Sequence, residues 1–144
     1  GRPVMSIFAL GSDSINVYQL ADCMKRKGWY LQPQFAREDR QINVHMTVSH
    51  ANVAHVDQFL ADLAEAVEET RQFQHLDPDI VKDQVNMMIE NIPPEEAASA
   101  LYDLAGIEGS TLPGEMAFIN TVLNALPPKI AENMLIEYFN DLFV

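Results

Sequence analysis

Val4–Trp29, VMSIFALGSDSINVYQLADCMKRKGW, is the stretch that sets the architecture of the first half of the chain. Val4–Leu10 is a short apolar run with β-branched and aromatic side chains, closed by Gly11, and predicts a buried strand. Ser12-Asp13-Ser14 follows, rich in side chains that cap helices. Apolar residues then recur at Val17, Leu20, Ala21 and Met24, a helical spacing. Lys25-Arg26-Lys27 complements the negative end of the helix dipole, and Gly28 supplies a left-handed stop. Strand, cap, stripe and stop therefore stand in the order one βα unit requires.

Working outward, Trp29–Gln32 begins a second strand, which Pro33 confines to a sheet edge or a strand end. Residues 36–40 form a charged turn. In Ile42–Val48, Ile42, Val44, Met46 and Val48 alternate with Asn43, His45 and Thr47, the pattern of a half-buried strand. Asn52–Thr70 is an amphipathic helix whose apolar stripe is Val53, Val56, Phe59, Leu60, Leu63 and Val67. Residues 1–71 thus read β-α-β-β-α, a two-layer α/β (α+β) domain. The turn after the second strand implies an antiparallel hairpin with the third. The first two strands would need a right-handed crossover if they paired in parallel.

Residues 72–144 read as an all-helical extension punctuated by prolines. Asp77-Pro78 opens a helix to about Glu90, and Pro93-Pro94 breaks it. Glu95–Ala105 is a further helix ended by Gly106, Ile107–Gly114 a loop, and Met116–Leu126 and Pro128–Phe143 two more helices. A methionine-rich series, Met87-Met88, Leu101, Leu104, Met116, Phe118, Leu123, Met134, Leu135 and Phe139, recurs at helical intervals. It reads as packing core, with a groove for a partner helix as the alternative.

The net charge is −12, unevenly placed. Residues 1–71 carry seven Lys/Arg against nine Asp/Glu; residues 72–144 carry two against twelve. The acidic second half opposes phosphate backbones and anionic membrane surfaces, so no nucleic-acid partner is expected. No apolar run approaches the roughly 20 residues of a membrane helix. Cys23 is the single cysteine, which excludes an intrachain disulfide and fits a reducing, cytoplasmic setting. It reads as a packed, inert thiol whose pKa the basic residues beside it would lower slightly. The opening Gly1-Arg2-Pro3 lacks an initiator Met, so the chain is expected to start inside a larger protein or after a trimmed tag.

The segment FALGSDSINVYQLADCMKRKGW resembles the small domain of fold-type-I pyridoxal-phosphate lyases and decarboxylases. The likeness rests on Gly11-Ser12-Asp13, Asn16-Val17-Tyr18 and Gly28-Trp29, and is greatest to the sphingosine-1-phosphate lyase branch. INVHMTVSHANVAHVDQFLADL is similar to a strand and the final helix of the same domain, so the likeness covers residues 3–71. Gly-Trp after a basic helix end is shared with glutamate and tyrosine decarboxylases, which keeps a decarboxylase open. The resemblance implies a parent enzyme using pyridoxal phosphate, with the Schiff-base lysine, the aspartate on the pyridine nitrogen and the phosphate cup all on a preceding large domain. It implies a carbon–carbon lyase of a sphingoid-base phosphate, a homodimeric parent, and a fragment without catalytic or cofactor-binding residues. Residues 72–144 lie outside it. The rival reading is a non-catalytic regulatory or interaction module.

Among individual residues, the family's small domain implies a polar contact to a substrate carboxylate or phosphate from the segment after Trp29. Gln34 and Arg37 are the candidates, since a guanidinium fork suits either anion. The segment reads first as a solvated turn in which Arg37, Glu38, Asp39 and Arg40 pair with one another, with the substrate contact as the alternative. His45, His50 and His55 recur every five residues, whereas a helical metal site uses three or four, so they read as surface or capping histidines and no metal is expected. His75 reads as solvated. Glu95 and Glu96 point about 100° apart on a helix and do not converge on one bond.

Overall fold

The structure is a computed structural model that describes residues 5–36, 41–72, 77–92, 96, 100, 101, 103 and 113–142. The chain divides into two compact units, Gly1–His75 and Leu76–Val144. The first is a small antiparallel sheet with helices and the second is helical, a mixed α+β architecture.

In the first unit, β1 (Ile7–Leu10), α1 (Val17–Arg26), β2 (Gln32–Gln34), β3 (Asn43–Thr47) and α2 (Val56–Gln72) follow in the expected order. The strand order is β1-β3-β2, with β3 antiparallel to both neighbours. The hairpin of β2 with β3 is as expected. The first two strands do not pair: β3 lies between them, so the connection through α1 spans a strand. β2 is shifted towards Pro33 from the expected Trp29–Gln32, because Trp29 is used in ending α1. Pro33 is tolerated because β2 is an edge.

α1 is capped by Asn16, whose Oδ1 accepts from the amides of Tyr18 at 2.9 Å and Gln19 at 3.4 Å. The Ser12-Asp13-Ser14 cluster does not cap it; Ser12 Oγ instead closes a preceding turn, accepting from Ser14 N and Ile15 N. At the far end Gly28 N donates to Lys25 O at 3.0 Å and Trp29 N to Met24 O at 2.9 Å, the paired bonds of a left-handed helix stop. Gly28 has φ 89°, as the sequence requires. Every side chain from Val17 to Met24 is buried. α1 lies on β2 and β3, and α2 packs against α1.

β3 behaves as its alternation demands: Val44 and Met46 are buried, whereas Val48, beyond its end, is exposed. A turn follows in which Asn52 Oδ1 accepts from Ser49 N at 2.8 Å and Asn52 Nδ2 donates to Thr47 O at 2.7 Å. A 3-10 turn, Val53–His55, then precedes α2. The helix keeps part of the expected stripe and adds Ala66 and Thr70 to it. Phe59, Ala66 and Thr70 are buried, Leu63 and Val67 half-buried, and Val53, Val56 and Leu60 exposed.

The second unit contains α3 (Pro78–Asn91), α4 (Ala117–Ala125) and α5 (Pro128–Leu142). Asp77 caps α3, accepting from Asp79 N at 2.9 Å, with Pro78 in the first turn. Leu126 and Pro127 separate α4 from α5, which opens on Pro128. The helix expected at Glu95–Ala105 falls largely outside the described residues, though Glu96, Ala100, Leu101 and Asp103 are helical. The core is Val81, Val85, Leu101, Val122, Leu126 and Met134, with Met88, Phe118 and Leu123 against it. The methionine-rich series is therefore only partly core: Met87, Leu135 and Phe139 are exposed.

Candidate functional site

The residues that carry the family resemblance are structural ties. Tyr18, buried on α1, donates its hydroxyl to the carbonyl of Gln34 on β2 at 3.0 Å and meets Phe35 edge-on at 6.3 Å. Burial pushes its phenol well above the usual tyrosine range. Trp29 Nε1 donates to Asp62 Oδ2 on α2 at 2.8 Å, and its ring meets Phe59 edge-on at 5.2 Å. One helical turn on, Lys27 Nζ pairs with Glu65 Oε2 at 2.7 Å, and Arg26 pairs with Glu69 a turn beyond. The basic end of α1 thus lies along one row of acidic residues on α2, a partnership beyond the dipole reading.

Cys23 is buried at the same seam. Arg26 donates to its Sγ at 3.1 Å and Thr70 Oγ1 lies 3.6 Å away. Burial pushes the thiol up, outweighing the hydrogen bond from Thr70 and the nearby Arg26 charge, so the expected slight lowering is corrected.

A second cluster lies on the outer face of the sheet. Val44 and Met46 point inward, so Asn43, His45 and Thr47 point outward. Register places Gln32 and Ala9 on either side of His45, and Gln34 opposite Asn43. Opposed residues share a face, so Gln32, Gln34, Asn43 and His45 form one polar patch. Asn43 Nδ2 donates to Gln41 O at 3.1 Å, while Asn43 Oδ1 is buried without a hydrogen-bond partner. Gln34 is half-buried, its carbonyl held by Tyr18. Arg37, the other candidate, lies outside the described residues. Gln32, Asn43 and His45 were not expected beside Gln34. Alternation gave the outward face of β3, but the register that brings β2 against it is set by the sheet.

This patch offers amides and an imidazole, groups that orient a ligand by hydrogen bonds. Lys27 is held by Glu65, Lys25 stands at the end of α1, and Lys82 and Lys129 are exposed on α3 and α5. A shallow depression on α2 is lined by Ala64, Glu65, Glu68, Glu69 and Gln72, whose three carboxylates take up the charges of Lys27, Arg71 and Arg26 and so leave those cations engaged rather than turned to a phosphate. These residues do not fit pyridoxal phosphate, which needs a cradled phosphate and a lysine beside a ring pocket. His45, His50 and His55 stand on a strand, a turn and a 3-10 turn; among the described residues no three His, Cys, Asp or Glu are grouped to hold a metal. Glu95 and His75 lie outside the described residues, and Glu96 is exposed.

Comparison with known proteins bears on the whole. The chain is 38% identical over 68 residues to a sphingosine-1-phosphate lyase of Arabidopsis thaliana, covering 47% of this chain and 12% of that protein. It is 32% identical over 68 residues to the sphingosine-1-phosphate lyase of Oryza sativa subsp. japonica, with the same coverage. It is 34% identical over 67 residues to sphingosine-1-phosphate lyase 1 of Rattus norvegicus, covering 46% and 11%. The chain therefore spans about an eighth of the length of these curated relatives and matches their C-terminal part. No solved structure gives a significant match. Residues 60–141 match the family described as "Pyridoxal-dependent enzyme, C-terminal putative HTH domain". That match covers more than half of the chain and runs from α2 through α5, across the stretch that the resemblance left without a counterpart; the chain belongs to this family of C-terminal domains of pyridoxal-dependent enzymes.

Proposed function

We propose that this chain is the C-terminal part of a pyridoxal-phosphate-dependent carbon–carbon lyase that acts on a sphingoid-base phosphate such as sphingosine 1-phosphate. The observation that carries the reading is the 38% identity to a curated sphingosine-1-phosphate lyase over 68 residues. In this reading the parent's large domain holds the cofactor, which supplies an electron sink for cleavage between the amine- and hydroxyl-bearing carbons. Residues 1–71 are the small domain and residues 72–144 an acidic helical extension. The outer sheet face closes one wall of the site, and Gln34 and Arg37 are the residues that meet the substrate's charged end. The fragment alone is inactive and holds no cofactor, and the parent is a cytoplasmic homodimer.

The lyase reading is favoured over an amino-acid decarboxylase by the named relatives, all sphingosine-1-phosphate lyases. A nucleic-acid role for the helical half is opposed by its two lysines against twelve carboxylates.

The test has two arms. The full-length protein is assayed for cleavage of sphingosine 1-phosphate, and the 144-residue chain is mixed with pyridoxal phosphate and followed by visible absorption. Cleavage by the former and no protein-bound band in the latter are expected. A band that disappears when Lys25, Lys27, Lys82 or Lys129 is replaced overturns the division of labour. A full-length protein that decarboxylates an amino acid and leaves the sphingoid base intact overturns the substrate.

A further inference from the structure

The second unit buries one side of α5 through Met134, 3% exposed, and leaves another side apolar and open. Leu135, Ile136 and Phe139 are exposed, Phe139 at 54%. With exposed Glu132 they occupy positions i, i+3, i+4 and i+7, one continuous stripe along the helix. Among the described residues, the unit's core does not include this stripe. α3 repeats the design on a smaller scale: Ile80 and Met87, seven residues apart, are exposed, and exposed Asp79, Asp83 and Glu90 run along one flank of that row.

Charge decides what fits such a surface. The unit carries two lysines against twelve carboxylates. A second copy would bring the same net charge of −10 to the contact. A membrane-surface helix flanks its apolar stripe with Lys and Arg, whereas α5 has Lys129 alone, at its start. Apolar side chains set in a negative field match a helix with an apolar stripe and a cationic border.

We propose that the exposed stripe Leu135–Ile136–Phe139 of α5 is a docking surface for a basic amphipathic helix of a partner protein. The apolar stripe supplies the buried contact, and Glu132 with the field of the unit sets charge preference and the rate of encounter. The inference does not depend on the lyase activity proposed above.

The test uses the full chain and a fluorescent synthetic Leu/Lys amphipathic helix, with a Leu/Glu helix of the same apolar pattern and a sequence-scrambled Leu/Lys peptide as controls. Anisotropy titration is expected to show saturable binding of the Leu/Lys helix that weakens as salt rises. Binding should fall at least tenfold with the double variant Ile136→Ser/Phe139→Ser, while circular dichroism is unchanged. The Leu/Glu and scrambled peptides should bind at least tenfold more weakly. Equal binding by the double variant, or by the scrambled peptide, reduces the effect to diffuse charge and overturns the proposal. Sedimentation showing a dimer of the chain that the double variant dissociates makes a second copy the occupant and also overturns it. So does flotation of the chain with phosphatidylcholine vesicles that the double variant abolishes.

Discussion

Trp29 donates its indole N–H to Asp62 across 2.8 Å and so fixes the end of α1 to the middle of α2. That bond, joined by one from Gln58 and by the Lys27 charge, holds the Asp62 carboxyl below the usual carboxylate range. A carboxylate depressed in the folded state contributes stability that is present above its unfolded pKa of about 3.9 and is lost as pH falls through the folded value. Trp29→Phe keeps a ring against Phe59 but removes the donor. Carboxyl NMR titration is expected to show Asp62 moving up in that variant, and the acid-side loss of thermal stability to become shallower. An unchanged Asp62 titration would show that the indole does not hold it.

Gly28 ends α1 at φ 89°, and a Cβ built there meets nothing within 4 Å. The cost of Gly28→Ala is therefore conformational rather than steric, roughly 1–2 kcal/mol. Chemical denaturation should show it as a lower midpoint with an unchanged slope. Gly114→Ala, also in open space and without a positive φ, is expected to cost less and serves as the control.

Tyr18→Phe removes one hydrogen bond, the hydroxyl donated to Gln34 O, and is expected to cost about 1 kcal/mol. The wild-type phenol is raised by burial, so its contribution is whole below the unfolded tyrosine pKa of about 10 and is lost as pH rises beyond it. Alkaline unfolding followed by tyrosinate absorbance should reveal one late, unfolding-linked phase that Tyr18→Phe deletes.

Cys23 has basic neighbours in sequence but a buried, raised thiol in space. Iodoacetamide should label the native chain far more slowly than the denatured chain. Labelling at equal rates would mean that the α1–α2 seam opens readily.

In the full-length enzyme, Gln34→Ala and Arg37→Ala are each expected to raise KM for the phosphorylated substrate on the order of tenfold, the effect of one hydrogen bond to a charged group. Unfolding temperature should change little, because the side chain of Gln34 faces outward and only its backbone carbonyl meets Tyr18. A change in unfolding temperature without one in KM would assign Gln34 to the scaffold.

Much of the fold is readable from single residues. Gly28 announces a left-handed stop, Pro33 an edge strand and Asp77-Pro78 a helix start, because each acts through its own backbone or its nearest amides. Features that depend on a distant partner are hidden. Nothing local to Val53, Val56 and Leu60 shows that they stay exposed while Phe59, Ala66 and Thr70 are buried. The polar face of β3 is likewise visible in the alternation of Asn43, His45 and Thr47. Its meeting with Gln32 and Gln34 depends on a register fixed by the whole sheet. Trp29 is conspicuous as a residue, yet its partner lies 33 positions away.

The strand order β1-β3-β2 also has a kinetic meaning. The central strand is the last of the three to leave the ribosome, and the two made before it have no hydrogen-bonded contact with each other. Until Thr47 emerges, Ile7–Leu10 and Gln32–Gln34 wait as separate segments joined by a helix without its sheet. Closure then satisfies both ladders together, so cotranslational folding of this half should register as a single late step. Truncation before Asn43 should yield a soluble-expression failure rather than a half-built sheet.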